Sequence, residues 1–178
     1  MTEHEANSRL ADSIRFSIVS ARDRLRDAGA RDEALAMFVP EHRGRLFVKK
    51  AAMVPQGRVW RLGVLLLDGD GVLYATGQTT RSLEPGRPAY QSLSAEQRRE
   101  YRAAAFRAKF APGETVNFNA PPIEPDPLSL QSATGPLFVR DGRALVRWSP
   151  TASDDSAVEL ETYLADRVSL LVDPPQGA

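Results

Sequence analysis

The chain has 178 residues, 42% apolar and 26% charged, with 23 Lys and Arg balanced by 23 Asp and Glu. That length and composition fit one globular domain with a sizeable core and exclude a fibrous or wholly disordered chain. The zero net charge gives no field to draw the whole molecule onto nucleic acid or an anionic membrane, and the absence of Cys excludes disulfides, thiolate nucleophiles and Cys-ligated zinc.

The opening MTEHEANSRLADS is polar and acidic where a secretory signal needs a basic start and an apolar core, and no window holds the roughly 18 apolar residues of a membrane span. The expectation is a cytoplasmic protein without a membrane partner. Residues 1–7 are expected to form a disordered tail. From Ser8 to Ala28, Leu10, Ile14, Ile18, Ala21, Leu25 and Ala28 recur at helical spacing, and Gly29 supplies a left-handed stop, so a helix is predicted over 8–28. EALAMFVP (33–40) is expected to be a short helical turn ended by its proline, followed by a strand over 46–53.

RVWRLGVLLL and VLYATGQTT flank a cluster of Gly and Asp, as the strands of a hairpin would, over 59–67 and 72–79. Pairing Leu67 with Val72 puts Trp60, Leu62, Val64, Leu66, Leu73 and Ala75 on one face. The other face then carries Leu65, Leu67, Val72 and Tyr74 and needs a second layer or a second subunit. The same segment, LLLDGDGV, also resembles the aspartate loop of the haloacid-dehalogenase type of phosphatase, in which Asp-x-Asp-Gly-Val carries a nucleophile and a general acid. That resemblance implies Asp68 and Asp70 as catalytic candidates. It covers about ten residues, and the turn explains more of the surrounding pattern.

After a Pro- and Gly-rich crossing at 81–92, Ser94-Ala95-Glu96-Gln97 reads as a capping box, opening a helix over 95–110 that carries Arg98, Arg99, Arg102, Arg107 and Lys109. ETVNF gives a strand over 114–118, and Asn119 to Gly135 a long proline-bearing loop. In PLFVRDGRALVRW, Asp141-Gly142 demands a two-residue turn between strands 136–140 and 143–148. This pairs Arg140 with Arg143 and Leu137 with Val146. Leu137, Val139, Ala144, Val146 and Trp148 then share a core face, opposite Phe138, Arg140, Arg143, Leu145 and Arg147. Asp154 and Asp155 are expected to open a last helix over 154–171, with a disordered tail at 174–178.

The fold expected is therefore α+β, a mainly antiparallel sheet built from hairpins with three long helices packed on it, in one domain over 8–173. No nucleophile elbow, Ser-x-x-Lys pair, phosphate loop or dinucleotide fingerprint is present. No cofactor or metal is expected. Taken together, GRVWRLGVLLL, LYATG, AAFRAKFAPGETVNF, GPL, VRWSP and YLADRVSLL look like a small actinobacterial protein family often labelled glutaminase, from about Arg58 to Leu171. Arg58, Trp60, Arg107, Arg147 and Trp148 fall in its recurring phrases, so the resemblance makes them candidate ligand-binding residues. The function expected is a binding or interaction domain that self-associates as a homodimer and offers an arginine-bearing surface to an anionic small molecule or protein, with nucleic acid disfavoured. The alternative is a small hydrolase acting on an amide or a phosphate.

Overall fold

The computed structural model describes residues 2–43, 48–84, 93–149 and 153–174. In chain order the elements are α1 (Glu3–Asp27), β1 (Glu33–Val39), β2 (His42–Arg43), β3 (Val48–Lys49), β4 (Ala52–Leu62), β5 (Leu65–Asp68), β6 (Leu73–Ala75) and β7 (Gln78–Arg81). There follow α2 (Leu93–Arg107), β8 (Thr115–Phe118), α3 (Pro127–Gln131), β9 (Leu137–Arg140), β10 (Arg143–Val146), β11 (Val158–Glu159) and α4 (Leu160–Val172). The fold is α+β with mainly antiparallel pairing. Where one domain was expected over 8–173, the chain divides into two compact units. The first contains Met1–Asp32, Trp60–Thr76 and Pro121–Ala178, and the second Glu33–Val59 and Gly77–Ala120.

In the first unit, α1 begins at Glu3, ahead of the expected Ser8. Thr2 Oγ1 accepts from the Glu5 amide at 3.3 Å, and the Thr2 amide donates to Glu5 Oε2 at 2.8 Å. This capping box satisfies two end groups at once, so residues 3–7, expected to fray, are helical. Ile14, Ile18, Ala21 and Leu25 form its buried stripe and join Leu62, Leu65, Leu67, Leu137, Val146, Leu160 and Leu164 in one core. The expected strand 59–67 is broken: Gly63, at φ +66°, turns the chain between β4 and β5. Only glycine adopts that conformation without strain, and here it has no room for a side chain either, because a Cβ would lie 2.3 Å from the Tyr163 hydroxyl. That hydroxyl, from α4, donates to the Leu62 carbonyl and accepts from the Val64 amide, both at 3.0 Å.

The β5–β6 hairpin forms with Leu67 opposite Leu73, one residue away from the expected pairing of Leu67 with Val72. Because the side-chain period is two, this slip moves Leu65 and Leu67 onto the face of Leu73 and Ala75. Leu65, Leu66 and Leu67 are all fully buried. Of the apolar face on which the homodimer expectation rested, Leu65 and Leu67 are thus buried within the first unit, while Val72 is 39% exposed.

The Asp141-Gly142 hairpin has the expected register, Arg143 opposite Arg140 and Val146 opposite Leu137. Both turn residues have positive φ, 52° and 68°, as the two-residue turn matching strand twist requires. Beyond it the chain departs from expectation. Asp154–Ser156 make a single 3₁₀ turn, β11 pairs with β10, and α4 starts only at Leu160. The proline-bearing loop is also not wholly irregular, since Asp126 caps α3 by accepting from the Ser129 amide at 2.9 Å and Leu130 is buried.

In the second unit the strands lie in the order β4-β1-β8-β7. The segment expected as a helical turn is the strand β1, antiparallel to β4 and parallel to β8. Ala, Leu and Met favour helices in isolation, but Ala34, Leu35 and Ala36 are all buried, and pairing on both edges overrides that preference. The expected strand 46–53 lies partly outside the described residues; β4 begins at Ala52. α2 already includes Leu93, so Ser94 is a helical residue rather than the cap, and the helix ends at Arg107. Its Ala104 and Ala105 sit on Val116 and Phe118, with Tyr101 edge-on to Phe38.

Candidate functional site

Asp68 ends β5, and its carboxylate is the anchor of the hairpin. Oδ1 accepts from the amides of Asp70 at 2.9 Å and Val72 at 2.8 Å, and Oδ2 accepts from the Tyr74 hydroxyl at 3.0 Å. Burial, that hydrogen bond and the charges of Asp68 and Asp70 push the Tyr74 hydroxyl up to about 12. An aspartate that holds three donors of its own loop is the organiser of a turn. Asp70 is exposed at the tip. Among the described residues no three His, Cys, Asp or Glu side chains gather as a metal site would require.

The five residues drawn from recurring phrases separate between the units. Trp60 is buried in the first unit and donates its indole N–H to the Ala30 carbonyl at 3.0 Å. Arg147, in the same unit, makes four hydrogen bonds. Its Nε and Nη2 reach the two Asp154 oxygens at 2.6 and 3.1 Å, and Nη1 donates to the carbonyls of Gly135 at 2.6 Å and Ala133 at 3.3 Å. The guanidinium lies 3.8 Å from the Phe138 ring centre, and it holds the Asp154 carboxyl below the ordinary carboxylate value. Such a clamp fixes the 3₁₀ turn to the hairpin. Trp148, expected on the core face, is 49% exposed and donates to the Ser156 carbonyl at 3.2 Å. β10 ends at Val146, so the strand alternation that would have turned Trp148 inward stops short of it.

Arg58 and Arg107 belong to the second unit. Arg58 pairs with Glu114, and Arg107 donates to the Ala51 carbonyl. Arg107 lines a broad cleft of about 780 Å³ in which Lys50 and Arg99 are interspersed with Glu41, Glu96 and Glu100. Cations and carboxylates there compensate one another.

A different concavity in the second unit, about 410 Å³, has another character. Arg98, Tyr101 and Arg102 of α2 line one side, at the three- and four-residue spacings that share a helix face. Thr79, Thr80 and Arg81 of β7, Leu83, and Thr115 of β8 complete it. None of the described residues lining it is acidic. Arg98 Nε donates to the Ser94 carbonyl at 3.2 Å within the helix, while Arg81, Arg98 and Arg102 are all exposed. The sequence placed Arg98 and Arg102 on the predicted helix 95–110 together with Arg99, Arg107 and Lys109. Arg81 carries no local signal, because it joins Arg98 and Arg102 only through the packing of α2 on β7.

The chain matches no protein-family model, no curated protein and no solved structure. Among the described residues, no helix is long and apolar enough to cross a membrane.

Proposed function

We propose that this protein is a binding domain whose arginine cleft, formed by Arg81, Arg98 and Arg102, takes an anionic partner bearing carboxylate or phosphate. The observation that carries the reading is the gathering of three arginines in one concavity with no acidic residue among its described lining. Like charges held together cost free energy unless an anion offsets them, and a guanidinium fork matches carboxylate and phosphate oxygens in pairs. Thr79, Thr80, Thr115 and Tyr101 add residue types that donate hydrogen bonds without adding charge. Such a site serves recognition without needing a nucleophile.

The test is calorimetric titration at low salt with inorganic pyrophosphate, citrate and a short glutamate-rich peptide, on the wild type and on Arg98→Ala, Arg102→Ala and Arg143→Ala. At least one anion is expected to bind. Loss of either cleft arginine should weaken binding about tenfold, the worth of one charge-assisted contact, while Arg143→Ala in the first unit leaves it unchanged. Raising salt should weaken it further. Binding by none of the three, or equal weakening in Arg143→Ala, overturns the reading.

A further inference from the structure

We infer that the partner is an extended acidic peptide that adds a strand to the open edge of β7; the inference rests on the anion-binding reading above and specifies its occupant. The direction of the β7 backbone groups follows from its continuation. The Ser82 amide donates to the Glu114 carbonyl at 3.0 Å, and the Ser82 carbonyl accepts from the Gly113 amide at 2.7 Å, so both backbone groups of Ser82 face the neighbouring segment. Backbone polar groups alternate sides with a period of two along a strand. Thr80 and Gln78 therefore face β8, in keeping with their pairing opposite Val116 and Phe118. The amides and carbonyls of Thr79 and Arg81 consequently face away from β8. On that side β7 is the end of the strand order, and among the described residues no strand pairs with it.

Thr79 and Arg81 are exposed, and both line the arginine cleft. The edge thus offers two amides and two carbonyls in a cleft lined by three arginines, which is what an extended chain with carboxylate side chains can satisfy at once. Leu83, 42% exposed, and the half-buried Tyr101 give an apolar residue between those carboxylates a surface to cover. A second copy of the chain does not fit as well, because antiparallel pairing of β7 with itself brings the Arg81 side chains of both copies onto one short ladder. A small free anion would use the guanidinium groups and leave the edge unpaired.

The experiment uses the full chain and a fluorescein-labelled Glu-Val-Glu-Val-Glu peptide followed by anisotropy, with two analogues N-methylated at alternate residues, one for each strand register. Pyrophosphate is titrated separately by calorimetry. The parent peptide should bind. At least one N-methylated analogue should bind about tenfold more weakly, the worth of roughly one lost backbone bond. Thr79→Pro, which removes an outward amide, should weaken the peptide by a similar factor. If both methylated analogues bind like the parent, or pyrophosphate binds and the peptide does not, strand addition is overturned while anion binding stands. If the labelled peptide fails to bind and so do pyrophosphate, citrate and the glutamate-rich peptide, both readings fall. The methylated peptides keep the test decisive even where Thr79→Pro does not fold.

Discussion

The Tyr163 hydroxyl provides a sharp test of how the first unit is held. It bridges the turn at Gly63 with two hydrogen bonds of 3.0 Å, to the Leu62 carbonyl and from the Val64 amide, at a side chain only 4% exposed. Tyr163→Phe keeps the ring in the core and strips both bonds, so at about 1 kcal/mol each, with a further penalty for buried groups left unsatisfied, the loss is ~2–3 kcal/mol. Gly63→Ala meets the same oxygen from the other side. Its Cβ would sit 2.3 Å from the hydroxyl, displacing it and losing the same bonds, and the φ of +66° adds ~1–2 kcal/mol for a residue with a side chain, giving ~3–5 kcal/mol. In the double variant the clashing oxygen is gone and the nearest ring carbon lies at 3.4 Å. The double cost should therefore stay at ~3–5 kcal/mol, well short of the ~5–8 that simple addition would give. Urea denaturation followed by tryptophan fluorescence reads this directly, since the protein's two tryptophans, Trp60 and Trp148, both belong to the first unit. A Tyr163→Phe variant within about 0.5 kcal/mol of wild type, or an additive double variant, would refute the bridging role.

Two further expectations concern pH. Tyr74 is raised in the folded state from its ordinary 10.0 to about 12, so the contribution of its neutral hydroxyl is present below pH 10 and is lost as pH rises toward 12. Alkaline stability curves of wild type and Tyr74→Phe should converge over that window; parallel curves would count against the Asp68 contact. Asp154 is shifted the opposite way by Arg147, so the pair's contribution is present above the ordinary carboxylate range and is lost as pH falls through the lowered folded value. The stability gap between wild type and Asp154→Asn should accordingly close in acid, and a gap independent of pH would exclude the ion pair as its cause.

Legibility from sequence followed how local the determining physics is. The Asp141-Gly142 hairpin was readable to the residue because its turn chemistry lies within two positions and sets every pairing that follows. The Asp68 hairpin was readable as a turn, but its register was not. The Asp68 side chain captures the Asp70 and Val72 amides and lengthens the connection by one residue, an effect no alternation count contains. β1 was misread as helical because its residues favour a helix and its two partner strands come later in the chain. The α1 capping box at Thr2 and Glu5 stands in the sequence as Thr-x-x-Glu, and its reciprocal bonds outweigh the fraying expected of a polar chain end. For the arginine cleft, Arg98 and Arg102 could be placed on one helix face. Arg81 could be added only after the strand order was known.

The chain's path through its two units bears on how it is made. The second unit draws only on residues 33–59 and 77–120, whereas the first needs residues from before, between and after those segments. Arg24 of α1 donates to Ser169 of α4 at 3.3 Å, a contact spanning 145 residues. During synthesis α1 leaves the ribosome with its apolar stripe complete and its covering helix not yet translated, while all parts of the second unit emerge in the interval. The order of emergence therefore lets the second unit close before α4 is there to cover α1.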